Sequence, residues 1–452
     1  MLGAVTFLLF SSYGAILDAV HGWSIGDVVI GRIRYLLVAF GMLFLLTYVM
    51  SIAYRSALPR IATGCAVASM LLLAVPTAKL IAAHARWDWG NGRADDIETS
   101  YPVAGSASTG SGTVPRDIYY IILDGYARGD VLAQLYEFDN TPFLNALRSR
   151  GFTIADASTS NYAITDLSIP AAVNMEYKYY DASIVPDDAS PTQFQNARRK
   201  NTFAIVRFLK QRGYAYVRVG PKRAATTSTA FVDRVISCGR FNELAYVFIN
   251  SSVLRLFQDR FIGNDLRTRV LCAFDRLTEI PMMPGPTFTF THIISPHPPY
   301  LFDATGNTVN ATEYSLALGW KDRSGYRDQV QFVNTRVLTT VDAILQASDP
   351  DPIIVIQGDH GSASLLEESD TWEHPSPQAV WERMSILNAY YLPDGGGAAL
   401  PTTITPVNSF RFIFRRYFDA PFELLEDRSY FSSYRDPYQF TDVTQIIRSA
   451  SR

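Results

Sequence analysis

The stretch IIVIQGDHGSA, residues 353–363, decides the reading of this chain. IIVIQ has no polar–apolar alternation, so it reads as a strand covered on both faces, the pattern of a parallel sheet packed between helices. The run then passes directly into Asp359, His360 and Gly361. Asp and Gly are common where a strand ends, so a turn is one reading. The other is a metal or catalytic pair at the carboxyl edge of an α/β sheet, where such sheets bind ligands.

Other segments have the same grammar. DIYYIIL (117–123) is a short buried-type strand followed by Asp124 and Gly125. TPFLNALRSRG (141–151) has helical spacing of Phe143, Leu144 and Leu147, stops at Gly151, and leads into FTIAD. TFAIVRFLKQRG (202–213) precedes YAYVRVG, and the helical pattern 326–347 precedes IIVIQ. TFTFTHII (287–294) and SILNAYYL (385–392) are further strands. Strands alternating with amphipathic helices predict an α/β domain with a mainly parallel sheet and helices on both faces.

The 452 residues are 48% hydrophobic with a formal net charge of −3, a balance that points away from nucleic-acid partners. The first part of the chain differs from the rest. Segments 34–54 and 61–84 are apolar enough to be expected as membrane spans, which need about 20 residues, and 4–20 is a third candidate. The acidic RADDIETS after them favours the outside for the remainder of the chain. Residues 87–115, rich in Gly, Ser, Thr and Ala, read as a flexible linker. The expected organisation is a membrane region 1–86, a linker 87–115 and a catalytic domain 116–452 preceded by transmembrane helices.

Functional residues should lie just past strand ends. Asp124, the hydroxyls Thr165 and Ser168 in SNYAITDLSIPAAVNM (160–175), Asp359 and His360 all meet that condition. Two carboxylates, an imidazole and a hydroxyl can hold one divalent metal, and oxygen and nitrogen donors suit Zn or Mn. Thr165 and Ser168 could also be ordinary helix caps, and Asp124 a turn residue.

The order LDG, then T-x-x-S-x-P, then GDHG resembles the alkaline phosphatase/sulfatase superfamily. More narrowly it is similar to membrane-anchored proteins of the lipoteichoic-acid synthase and phosphoethanolamine transferase type. The resemblance implies that Asp124, Thr165, Asp359 and His360 bind one divalent ion (Mn, Zn, Mg or Ca), with Thr165 as the nucleophile. It also implies that His297, in THIISPHPPYLFD, and His374, in TWEHPSP, contact the transferred group. The activity implied is a hydrolase or transferase of phosphate or sulfate esters in envelope lipids or glycans, placed extracytoplasmically on the cell membrane. The alternatives are an ester hydrolase using water alone and a non-catalytic envelope protein. These transferases usually carry Glu where Asp124 stands. No C-x-P-x-R or S-x-P-x-R motif exists to supply a formylglycine. A D-x-x-x-H pair for a second metal is also missing from the expected region, so one metal is expected.

His292 reads as a structural strand residue, and His21 and His84 as interfacial. Cys238 and Cys272, the two cysteines outside the apolar N-terminal region, are expected to pair in an oxidising compartment.

Overall fold

The computed structural model describes residues 115–177, 203–220, 231–241, 243–309, 319–368 and 371–450. Of the N-terminal region it describes 9–10, 12–14, 16–17, 19–20, 24–25, 28–29, 33–53 and 63. The chain divides into two compact units. One comprises Met1–Val103 with Phe241–Ile262, the other Ala104–Arg240 with Gly263–Arg452.

The second unit is built on a seven-stranded sheet. Its strands are β1 (Ile118–Leu123), β2 (Phe152–Ile154), β3 (Ala215–Gly220), β4 (Arg234–Ser237), β5 (Thr287–Ile293), β6 (Ile353–Gly358) and β7 (Asn388–Tyr391). The spatial order is β2-β7-β6-β1-β5-β3-β4. β1 pairs in parallel with β5 and β6, and β3 in parallel with β4 and β5. β7 is antiparallel to both of its neighbours, so it alone reverses direction.

The continuous apolar runs have the cause expected of them. Alternate residues of β1, Tyr119, Ile121 and Leu123, enter a core shared with Val330, Val333 and Val337 of helix Arg323–Ala347 and Val270, Phe274 and Leu277 of helix Asn264–Leu277. On the opposite parity, Tyr120 packs on Phe290 and on Phe410 of helix Pro406–Phe418, while Phe203 packs on Phe290. Both faces of the sheet are therefore covered, and every residue of β1, β5 and β6 is buried. The α/β class with a mostly parallel sheet stands as expected from the sequence.

Strand β4 has no counterpart among the strands expected from sequence. Its residues, RVIS, lie at a sheet edge and are mostly exposed, so the segment lacks the buried-strand signature. Cys238 and Cys272 are joined by a disulfide, with Cα atoms 5.7 Å apart.

Among the described residues, no helix is long and apolar enough to cross a membrane. The expected span 34–54 coincides with the 21-residue helix Ile33–Ala53, whose Leu37, Val38, Met42, Leu45 and Leu46 are exposed. Apart from residue 63, the expected span 61–84 lies outside the described residues, as does the linker except for residue 115. The candidate 4–20 is described only in part.

Candidate metal and nucleophile site

The central strands end in register. Leu123 of β1 is opposite Gly358 of β6 and Ile293 of β5. The next residues after β1 and β6 are Asp124 and the pair Asp359–His360, so two adjacent parallel strands deliver all three side chains to one edge. One potential ligand atom from each of Asp124, Asp359 and His360 lies within 4.8 Å of the others, and all three residues are buried. His360 Nε2 is 3.3 Å from Asp359 Oδ2 and 3.6 Å from Asp124 Oδ1.

The hydrogen bonds around this cluster define its chemistry. His360 Nδ1 is 3.0 Å from the Gly361 carbonyl, which can only accept, so Nδ1 carries the proton and Nε2 presents a lone pair. Burial, with the positive charge of Arg383 adding to it, pushes the His360 pKa down to about 4, so the ring is neutral near pH 7. Burial works to raise the Asp124 pKa, but His297, the hydrogen bond and charge of His292, and His360 together hold it well below the usual carboxylate range.

Asp359 Oδ1 accepts from the Gly125 N–H at 3.0 Å, and Asp124 Oδ2 faces His292 Nε2 at 3.0 Å. The remaining oxygens, Asp124 Oδ1 and Asp359 Oδ2, are buried with no hydrogen-bond partner. Two unpartnered buried carboxylate oxygens are costly in a metal-free protein, because buried acceptors are almost always satisfied. A divalent cation would satisfy both, with His360 Nε2 as a nitrogen donor beside them, so the donor set fits one.

Thr165 completes the group. It begins helix Thr165–Asn174, and its Oγ1 lies 2.9 Å from His360 Nε2. Since Nε2 is the acceptor, the Thr165 O–H donates to it. The amino end of that helix adds a favourable field for negative charge on this oxygen. Ser168, the other candidate hydroxyl, is fully buried and donates to the Asp359 main-chain carbonyl at 2.6 Å. Its hydroxyl is committed to holding the strand end, whereas Thr165 Oγ1 faces the cluster.

Each loop has a visible support. A Cβ on Gly361 would lie 2.3 Å from the Glu382 carbonyl oxygen, so the turn after His360 requires glycine. The buried Glu382 carboxylate accepts from Tyr136 Oη, Ser362 Oγ and the N–H groups of Ser364 and Leu365, which fixes the chain beyond Gly361. Arg383 is fully buried. Its Nε donates to Ala163 O at 2.8 Å and its Nη1 to Gly361 O at 3.1 Å, tying the Thr165 loop to the His360 loop.

His297 lies just past β5. Its N–H donates to the Asp124 carbonyl at 3.0 Å, and its ring centroid is 6.4 Å from that of His360 and 4.9 Å from that of Trp320. The structure thus brings Asp124, Thr165, Asp359, His360 and His297 together. His374 is exposed, and the hydrogen bonds described for it run from its backbone N–H to Thr371. Two contributors escape a reading of the sequence. His292 looks like an ordinary strand residue, yet it holds a ligand carboxylate; its position one residue before the end of a central strand is the available signal. Arg383 sits in a helix pattern, with nothing in the sequence to mark it as buried.

The chain belongs to the sulfatase family, which it matches over residues 116–387. It is a sulfatase-like enzyme. Among solved structures, the C-terminal periplasmic domain of EcEptC from Escherichia coli, in complex with Zn, is similar with a TM-score of 0.50 and 13% identity. That match covers 74% of this chain and 94% of that one. The soluble domain of lipooligosaccharide phosphoethanolamine transferase A from Neisseria meningitidis gives 0.41 at 12% identity, over 68% and 89% of the two chains. Phosphonate monoester hydrolase of Agrobacterium radiobacter gives 0.44 at 13% identity, over 70% and 80%. No protein of curated function matches the sequence significantly.

Proposed function

We propose that this protein forms a covalent ester on Thr165 with the phosphoryl part of a cell-envelope lipid or glycan and passes it to water or to an acceptor hydroxyl. One observation carries this reading. Thr165 Oγ1 is 2.9 Å from the lone pair of His360 Nε2, beside two buried carboxylate oxygens that lack partners.

Asp124, Asp359, His360 and Thr165 would hold a single divalent cation, Zn, Mn, Mg or Ca. Such an ion supplies Lewis acidity that favours loss of the Thr165 proton and offsets charge on the ester group. Thr165 Oγ1 attacks phosphorus in line, the bond to the ester oxygen breaks, and that oxygen leaves with a proton. His297 is placed beside the cluster to hydrogen-bond the non-bridging oxygens, where charge develops. His374 is read as a further contact to the transferred group through the TWEHPSP segment. Attack by water or an acceptor oxygen then restores the Thr165 hydroxyl. A threonine in place of an oxidised cysteine favours phosphate over sulfate.

The same proposal places the enzyme on the outer side of a cell membrane. Helix Ile33–Ala53 has Arg34 as its one charge and leaves Leu37, Val38, Met42, Leu45 and Leu46 exposed, an apolar surface suited to lipid. A disulfide is favoured in an oxidising compartment.

Intact-mass analysis of the full chain after exposure to membrane lipid extract tests the chemistry. The expected result is an adduct on Thr165 that is missing in Thr165→Ala and present in Ser168→Thr. An adduct mapping to another residue, or equal turnover in Thr165→Ala, overturns the nucleophile. The mass added separates a plain phosphate from a phosphoethanolamine or phosphoglycerol, and a sulfate adduct would reassign the ester class.

A further inference from the structure

Residues 241–262 interrupt the sulfatase-like unit. The chain leaves that unit after Arg240, groups with the N-terminal unit from Phe241 to Ile262, and returns at Gly263. The root of this excursion is fastened on both sides. Asp265 accepts from the Arg240 N–H and pairs with Arg269 at 2.8 Å, and the Cys238–Cys272 disulfide closes the loop around it.

The excursion is a helix, Glu243–Ser251, followed by a short 3-10 turn, Val253–Phe257, and a π-helical turn, Asp259–Gly263. One side of it is packed. Phe248 contacts Phe10, and Val253 and Leu256 pack on the buried Tyr13, Leu17 and Leu36. Arg255 reaches the Gly14 carbonyl at 3.3 Å. The contact at Gly14 is intimate, because a Cβ there would lie 1.9 Å from the Asn250 carbonyl oxygen. The other side is bare and apolar. Val247 is 59% exposed and Phe257 55%. The same unit carries the exposed apolar surface of helix Ile33–Ala53. Large exposed apolar side chains gathered on one unit point to an interaction site.

We infer that the 241–262 excursion is a second membrane-docking element, whose occupant is the lipid of the bilayer interface beside the N-terminal helix. The inference rests on the membrane placement proposed for this enzyme. Its chemical logic is that of an interfacial helix: Val247 and Phe257 enter the acyl boundary, while the polar flank at Arg255, Asp259 and Arg260 stays at headgroup level. Because the excursion is an internal part of the catalytic chain, clamped at its root, it gives the sulfatase-like unit a membrane attachment besides the linker.

Depth-resolved quenching tests this. In full-length protein with Cys65→Ser, single cysteines are introduced as Met42→Cys, Val247→Cys, Phe257→Cys and Gln346→Cys. Each is labelled with a small polarity-sensitive fluorophore, and the protein is reconstituted in vesicles with and without brominated phosphatidylcholine. Met42 reads the anchor helix, and Gln346 is an exposed control on helix Arg323–Ala347. The expected result is strong quenching at positions 42, 247 and 257 and none at 346. Quenching at 42 without quenching at 247 and 257 overturns the docking element and leaves the anchor standing. No quenching at any position overturns the membrane reading along with it. As a second measurement, Val247→Asp with Phe257→Asp should leave turnover of a water-soluble aryl phosphate unchanged and depress turnover of vesicle phospholipid at least tenfold. Equal loss on both substrates, or on neither, overturns the docking role.

Discussion

Asp359→Asn separates a metal site from a merely structural cluster by the sign of its effect. Without metal, the ligand atoms of Asp124 and Asp359 lie within 4.8 Å of each other. At an effective dielectric of ~20, two like charges at that separation repel by about 3 kcal/mol. Asp359 Oδ2 has no hydrogen-bond partner to offset this, and it also faces the His360 Nε2 lone pair at 3.3 Å. Asparagine removes the charge and keeps an oxygen for the Gly125 N–H. The metal-free variant should therefore be as stable as the parent or more so, by up to about 3 kcal/mol. Metal has the opposite consequence. For the parent, an ion at a hundredfold excess over its dissociation constant adds about 2.7 kcal/mol. In a domain of this size that corresponds to a Tm rise of about 5 °C, at roughly 2 °C per kcal/mol. The variant, lacking one of two charged ligands, should show little of that rise. The assay is thermal unfolding after chelation, repeated with Zn, Mn, Mg and Ca in turn. If the cluster is only structural, losing a buried charged acceptor should cost about 1–3 kcal/mol. A metal-free Tm below the parent's, with no metal-induced rise in the parent, would refute the reasoning.

The same geometry sets three further outcomes. His360 is held down at about 4 in the folded chain, against about 6.5 unfolded, so its contribution is complete above pH 6.5 and lost as pH falls toward 4. Metal-free stability should drop by up to about 3 kcal/mol across that window in chemical denaturation, and His360→Asn should flatten the drop. Gly361→Ala forces a methyl against the Glu382 carbonyl oxygen and should cost about 1–3 kcal/mol and weaken metal binding, read by calorimetry. Arg383→Met unties Ala163 from Gly361 and shifts Thr165 relative to His360. It should lower kcat by about a hundredfold with a smaller change in KM and retained metal binding, and Arg383→Lys should recover part of the loss; equal effects on kcat and KM in both variants would count against a positioning role.

Much of this protein is legible before its tertiary structure. The apolar runs of β1, β5 and β6 announce a sheet covered on both sides, because nothing but burial on two faces tolerates IYYIIL or IIVIQ without alternation. Asp124, Asp359 and His360 are legible because a parallel sheet gathers the residues just past its strands at one edge. The cysteine pair is legible from compartment and scarcity. Other features depend on distances between segments far apart in the chain, to which no local pattern is sensitive. The reversal of β7 is one, since strand direction leaves no mark on composition. The choice between Thr165 and Ser168 is another. Both hydroxyls are on the same helix three residues apart, and only the fold turns one toward His360 Nε2 and the other toward the Asp359 carbonyl. His292 and Arg383 belong here too, because a histidine in a strand and an arginine in a helix look ordinary until their partners, Asp124 168 residues away and Ala163 220 residues away, are brought against them. The excursion 241–262 is the largest such case: nothing in its sequence sets it apart from the segments on either side, and only the packing of Val253 and Leu256 on Tyr13, Leu17 and Leu36 groups it with the N-terminal unit.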